Sequence, residues 1–308
     1  MRKLGDERLA HGTLPFGGDV STRAERTPSM TSPTLADEAT PVLAFIGGGN
    51  MASAIIGGLV KSGRAPASIL VVDPGAAQRD ALQRDFGVSA LATATDALRG
   101  ASTVVWAVKP QLFGAAAAPC AAHVGGALHL SVMAGIRSDA IAAATGTDRV
   151  VRAMPNTPAL IGQGIAGLFA RGAVTAADRA EVEAVLAPTG ALLWVEREAQ
   201  LDAVTALSGS GPAYVFFFLE AMIRAGRQMG LAEAQARQLA LATFAGATAL
   251  AQASSDPPEL LRERVTSRGG TTHAAITTLE SRGVEAAFVA AMHAAELRAR
   301  ELGDEFGR

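Results

Sequence analysis

Between Pro257 and Glu280 the chain reads PPELLRERVTSRGGTTHAAITTLE, two helical patterns separated by a polar break from Thr266 to Thr272. Gly269 and Gly270, followed by Thr271 and Thr272, leave backbone N–H groups free at the start of the second helix, where the macrodipole favours an anion. A free carboxylate suits such a place, with threonine hydroxyls touching whatever else the ligand carries. The same residues also suit a plain helix–helix turn in which Thr271 or Thr272 caps the following helix. A second anion site is written near the other end of the chain. An apolar run over residues 42–46 leads directly into Gly47-Gly48-Gly49-Asn50-Met51-Ala52, and a helical pattern then carries Ile55, Ile56, Leu59 and Val60. Strand, glycine turn and helix in that order open a dinucleotide-binding βαβ unit. Gly47 allows the tight turn, Gly49 the close approach of backbone to a pyrophosphate, and Ala52 the packing of helix on strand. A structural turn in an unrelated α/β domain shares the local pattern.

Other residues fall where such a site would use them. Asp73 closes a second strand at about the spacing at which an acid binds the adenosine ribose hydroxyls, which favours NAD and repels the extra phosphate of NADP. Arg79 and Arg84 follow on the next helix and could reach that phosphate, or could be solvated helix-surface charges. Ala107-Val108-Lys109-Pro110 ends another strand, where ligands of open α/β sheets bind. Lys109 there could meet the nicotinamide ribose or the substrate, or simply be solvated at a helix start. Asn156 is bracketed by Pro155 and Pro158 in a stiff loop. Cys120 is the single cysteine, so no internal disulfide forms, and its alanine-rich surroundings read as a helix core. No Cys/His cluster calls for a metal. His273 is expected to point away from the neighbouring threonines.

Elements that position these residues alternate along the first half. Strands are expected over residues 42–46, 69–72, 88–91, 102–108, 128–132, 149–153, 164–170 and 191–195, with helices over 78–86, 96–99 and 175–186 among them. Beyond residue 198 the strands stop. Helices are expected over 200–206, 212–229, 233–254, 258–265, 272–282 and 285–302, with Pro212 in a first turn and Ser210 as its cap. The fold class is α/β: a Rossmann-type doubly wound sheet over residues 41–198, then an all-helical domain over 199–308 that binds substrate and dimerises. The broad apolar faces carrying Phe216, Phe217, Leu219, Met222 and Ile223 exceed what one helical layer buries alone, so a homodimer or higher homo-oligomer is expected. Residues 1–40 lack an apolar period and read as a disordered tail without a secretory signal, Met30 offering an alternative start. No uninterrupted run is expected to span a membrane; the apolar stretch around Phe216 carries Glu220 and Arg224 and is assigned to burial against another helix. With 49% hydrophobic and 18% charged residues and a formal net charge of -2, the chain offers no electrostatic footprint for nucleic acid or an anionic membrane. A cytoplasmic, small-molecule protein is the class that remains.

Four segments then coincide with one family. Phe45-Ile46-Gly47-Gly48-Gly49-Asn50-Met51, Ala107-Val108-Lys109-Pro110, Arg152-Ala153-Met154-Pro155-Asn156-Thr157-Pro158 and Ser208-Gly209-Ser210-Gly211-Pro212-Ala213-Tyr214 occur in that order, and with Val265 to Thr272 they resemble pyrroline-5-carboxylate reductase. The resemblance implies reduction of 1-pyrroline-5-carboxylate to L-proline, the last step of proline synthesis, with NADPH as hydride donor; Asp73 keeps NAD possible. It implies Thr272 and Ser267 as catalytic positions and Gly270, Thr271 and Thr272 as holders of the substrate carboxylate. The cofactor set it implies is Ile46, Gly47, Gly48, Gly49, Asn50, Met51, Asp73, Ala107, Val108, Lys109, Pro110 and Asn156. It also implies that the ligand loop is completed between two subunits. One departure stands out: the family commonly has proline where this chain has Arg268, so altered affinity with retained function is expected. A hydroxyacid dehydrogenase of similar build would need a catalytic lysine on a helix after the nucleotide domain, and residues 200–253 contain none. A non-catalytic nucleotide sensor is the other class in competition; Ser267 and Thr272 argue against it, and Arg268 keeps it open.

Overall fold

Residues 42–306 are described by the computed structural model; the tail expected over residues 1–40 lies outside the described residues. In strand β1 (Val42–Ile46), Leu43 and Phe45 pack on one face of the sheet and Ala44 and Ile46 on the other. Both faces are covered, which is why the strand is apolar throughout rather than alternating. It is followed by β2 (Ile69–Val72), β3 (Ser89–Leu91), β4 (Ala101–Trp106), β5 (Leu128–Ser131), β6 (Val150–Met154), β7 (Gly164–Ala170) and β8 (Gly190–Trp194). Their order across the sheet is β3-β2-β1-β4-β5-β6-β7-β8. The first six are parallel, β7 runs antiparallel to β6, and β8 is parallel to β7. This is the doubly wound arrangement, whose strand order reverses between β1 and β4 and opens a ligand crevice outside the carboxyl ends of those strands.

Helix α1 (Asn50–Lys61) buries Ala52, Ile55, Ile56 and Leu59, residues three or four apart that make a single apolar stripe. With α2 (Ala76–Phe86) and α5 (Ala176–Leu186) it covers the Phe45 face. The Trp106 face is covered by α3 (Phe113–Val124) and α4 (Ser138–Thr145), and Cys120 is buried there as expected. The sequence reading missed α4. It is eight residues long, mostly Ala, Ser and Thr, too short to display a period, and Gly146 at φ 73 ends it. The helix expected over 96–99 is a single 3-10 turn, Asp96–Gly100, opened by Thr95 accepting from the Ala97 amide.

After β8 only helices follow: α6 (Gln200–Val204), α7 (Gly211–Gln228), α8 (Glu233–Ala253), α9 (Pro258–Arg264), α10 (Thr271–Ser281) and α11 (Val284–Phe306). A π-helical turn, Thr205–Gly209, joins α6 to α7. Ser210 therefore does not cap α7 as expected. Its backbone is already helical, at φ -84 and ψ -17, and its side chain makes no cap hydrogen bond. Through the same continuity Gln200–Gln228 is one helical run long and apolar enough to cross a membrane by length and composition alone, interrupted as expected by Gly209, Gly211, Pro212, Glu220 and Arg224. Burial of Phe216 and Phe217 against another helix is not met within the protomer, where they are 58% and 67% exposed. Helices α9 and α10 bury no residue at all. The end of α11 does pack on the sheet half, where a side chain at Gly303 would collide with the Arg137 guanidinium and one at Gly135 would press on Leu302.

Candidate functional site

The glycine loop is built around backbone closeness. Gly47 has φ 97, and a Cβ there would lie 2.8 Å from the Ala107 carbonyl oxygen, so both conformation and space require glycine. Its N–H donates to Val72 at 2.8 Å and the Ala107 N–H donates to Ile46 at 2.8 Å, which ties the carboxyl ends of β1, β2 and β4 into one edge. A side chain on Gly49 would meet nothing within 4 Å. That is open space against bare backbone, the shape a pyrophosphate needs. Gly49 is also the N-cap of α1, with no side-chain cap and no acid in the first turn. The first helical bond is donated by Ser53 to Gly49, 2.8 Å, so the amides of Asn50, Met51 and Ala52 precede the ladder and face that space. An acid-free, uncapped helix start behind a glycine turn fits a dinucleotide pyrophosphate.

Asp73 sits just beyond β2 and is bonded to that loop. Its Oδ2 accepts the Gly48 N–H and its Oδ1 accepts the Gly75 N–H, each at 2.8 Å. The Gly48 carbonyl in turn accepts from the Ser53 hydroxyl and the Gln78 amide. Sequence reading passed over Ser53 and Gln78; their only signal was a polar residue on an inward helix position. Arg79 Nη1 donates to the carbonyls of Asp73 (2.9 Å) and Pro74 (2.8 Å). Arg84 instead pairs with Asp85 on the surface of α2.

Lys109 and Pro110 continue the same edge past β4, Lys109 being exposed at the head of a 3-10 turn. Asn156 lies just past β6 on that edge. Its Oδ1 accepts the Ile165 N–H at 3.0 Å and its Nδ2 donates to the Ser208 hydroxyl at 3.3 Å, so it fastens the proline-bracketed loop to the π turn that begins the helical half. Single π turns of this kind occur frequently at functional sites.

The second glycine turn lies in the helical half, ahead of α10. The Gly270 N–H donates to the Ser267 carbonyl at 3.0 Å and Gly269 has φ 77, the signature of a type II turn with Arg268 at its second position. Gly270 is the N-cap of α10, at φ -82 and ψ 176 and with no side-chain cap, so neither Thr271 nor Thr272 caps the helix. The first helical bond is from Ala274 to Gly270, 3.1 Å, which leaves the Thr271, Thr272 and His273 amides ahead of the ladder. His273 lines a shallow groove with Arg262, Thr266 and Glu280. Among the described residues, no hydrogen bond joins this turn to the glycine loop, Asp73, Lys109 or Asn156.

A charge cluster that sequence reading missed holds the two halves of the chain. Glu198 accepts from the backbone and hydroxyl of Ser138 and from Arg152, whose side chain is 5% exposed. Burial alone would raise the Glu198 carboxyl, but the Ser138 hydrogen bonds and Arg152 outweigh it and hold it below its ordinary value. Arg137 forks onto Asp202 with contacts of 3.2 and 3.0 Å. The available signal was Arg152 itself, since a charge inside an otherwise apolar strand must find a partner.

Residues 198–302 match the family described as pyrroline-5-carboxylate reductase dimerisation, and residues 42–135 match NADP oxidoreductase, coenzyme F420-dependent. A pyrroline-5-carboxylate reductase of Pseudomonas aeruginosa is 44% identical over 271 residues, covering 87% of this chain and 99% of that protein. Among solved structures, a pyrroline-5-carboxylate reductase from Coxiella burnetii superposes with a TM-score of 0.78 at 36% identity, covering 85% of this chain and 98% of that one. The Plasmodium falciparum pyrroline carboxylate reductase with NADP bound gives 0.77 at 26% identity, with 85% and 98% covered.

Proposed function

This chain belongs to the pyrroline-5-carboxylate reductase family and is an NAD(P)H-dependent oxidoreductase that reduces 1-pyrroline-5-carboxylate to L-proline; from that premise we propose how its own residues divide the work. The observation that carries the reading is that α1 and α10 start uncapped, free of acid and after glycine, as α2 does, and that each of the two follows a turn with a positive-φ glycine, Gly47 and Gly269. Two anions must be held for this reaction, a pyrophosphate and a ring carboxylate, and the chain supplies one cradle for each.

The amides of Gly49, Asn50 and Met51 hold the pyrophosphate, while Gly47 and Gly48, whose own amides are bonded to Val72 and Asp73, shape the loop that brings it close, with Ile46 and the Ala107–Val108 backbone closing the floor. Lys109, Pro110 and Asn156 border the nicotinamide end. When bound, the reduced nicotinamide supplies a hydride to the imine carbon. Ser267, Gly270, Thr271 and Thr272 hold the carboxylate, and the Thr272 hydroxyl lies by the ring nitrogen. A threonine hydroxyl is a poor acid at neutral pH, so Thr272 orients the ring rather than donating the proton; an iminium already protonated in solution is the better acceptor. These residues then act mainly by positioning. The helical half from residue 199 carries substrate binding and dimer contacts, and a second subunit brings the carboxylate turn to the nucleotide edge. The matched dimerisation family and the exposed apolar faces of α7 support that arrangement. A lone buried cysteine suits a cytoplasmic setting.

Steady-state oxidation of NADPH, and separately NADH, with pyrroline-5-carboxylate tests the assignment alongside Thr272→Ala. Turnover should fall at least tenfold, the effect of about one lost orienting contact, while nucleotide binding is retained. A mutant that keeps full kcat and KM removes Thr272 from the site.

A further inference from the structure

The order of the hydrogen bonds around β2 bears on which nucleotide the chain accepts. At this position an acid takes the ribose hydroxyls of NAD, whereas an arginine nearby accommodates the 2′-phosphate of NADP. Here both kinds of residue are present, and their partners differ. Each carboxylate oxygen of Asp73 accepts one backbone amide, Gly48 on one side and Gly75 on the other, which fixes the carboxylate and leaves one acceptor position on each oxygen. The acid thus acts as a brace between the glycine loop and the start of α2. Arg79 is fixed by one nitrogen alone: Nη1 bridges the Asp73 and Pro74 carbonyls. No carboxylate pairs with it among the described residues, although its neighbours Arg84 and Arg99 are both paired. The guanidinium is held at the carboxyl end of β2 with Nη2 and Nε still available. The first turn of α2 beside it has no acid and no side-chain cap.

We propose that Arg79 is the specificity-determining residue for the adenosine 2′-phosphate, and that Asp73 braces the loop instead of excluding that phosphate. The proposal rests on the reductase reading above and extends it from the reaction to the choice of hydride donor. The bridged Nη1 fixes the plane of the guanidinium, so its free edge meets a phosphate without first being ordered, and such a charge-assisted, forked contact discriminates more than a solvated lysine would. Arg84, about one and a half turns along and paired with Asp85, takes no part.

The test is calorimetric titration of the full-length protein with NADP⁺ and with NAD⁺, for the wild type, Arg79→Gln, Arg79→Lys and Arg84→Gln, each checked by circular dichroism. Wild type should bind NADP⁺ more tightly than NAD⁺. Arg79→Gln should weaken NADP⁺ by roughly ten- to a hundredfold, the loss of a hydrogen-bonded charge, and leave NAD⁺ unchanged. Arg79→Lys should fall between, and Arg84→Gln should match the wild type. Wild type that binds NADP⁺ while Arg79→Gln loses nothing, or loses both nucleotides equally, overturns the role of Arg79 alone. Preference for NAD⁺ in the wild type does the same. Wild type that binds neither nucleotide overturns the reductase reading itself.

Discussion

His129 shows how burial sets behaviour at the scale of one residue. It is fully enclosed in β5, stacked near Trp106, and its Nδ1 accepts the Trp106 indole N–H at 3.0 Å. Burial above all, with Arg149 adding to it and the Val124 backbone opposing, pushes its pKa down to about 4. The imidazole is therefore neutral in the fold and would protonate near its ordinary value when unfolded. The unfolded chain binds the extra proton, so stability is complete above about pH 6.5 and declines as pH falls toward about 4. Thermal melts across that window should show a falling Tm, and His129→Asn should flatten this part of the slope. A variant with an unchanged slope would place the acid sensitivity elsewhere.

At the scale of the element, the Ser267–Gly270 turn ahead of α10 is the informative piece. Its second position is where proline presets the backbone, and this chain has Arg268 there. Arg268 makes no hydrogen bond or ion pair among the described residues, whereas Arg262 pairs with Glu280 and Arg264 with Asp256. The turn thus keeps its shape through Gly269 at φ 77 and the Ser267–Gly270 hydrogen bond, without help from the second residue. Arg268→Pro should stabilise the protein by about 0.4–1 kcal/mol, chiefly by restricting the unfolded chain. A drop in Tm instead would show that residue 268 does not have the backbone of a type II turn. Fasteners between elements follow the same logic. Glu198 joins α4 and β6 to the start of the helical half, and Asn156 joins the proline loop to the π turn.

For the whole molecule, the decisive fact is that α7, α9 and α10 bury so little within one chain. Exposed Phe216, Phe217 and Val265 would be an aggregation liability on a lone protomer and are ordinary on an obligate interface. They share the helical half with the glycine turn proposed to hold the substrate carboxylate, so assembly and turnover are expected to be linked. Phe217→Glu should shift the protein toward monomer in analytical ultracentrifugation and reduce turnover in proportion. Dilution of the wild type to a demonstrated monomer should do likewise. Full turnover from a monomeric sample would mean that one chain closes the site by itself.

Much of this was legible because the informative signals are local. Short apolar runs marked the strands, the inner ones because both of their faces are buried, although β3 and β8 at the edges are partly exposed and β5 and β6 bury His129 and Arg152. Glycines ahead of α1 and α10 marked two uncapped helix starts, since backbone amides are left free where no side chain intervenes. The short α4 escaped because eight small residues carry no period, and the π turn because it continues a helix where serine and proline ordinarily start one. What the sequence by itself determined is the order of most elements, the two glycine-led helix starts and the family of the chemistry. Only the tertiary structure decided that Asp73 braces Gly48 across 25 residues of chain, that Arg79 is pinned by one nitrogen, and that Asn156 reaches Ser208. Those facts depend on which atoms packing brings within hydrogen-bonding distance, and no spacing along the chain encodes that distance.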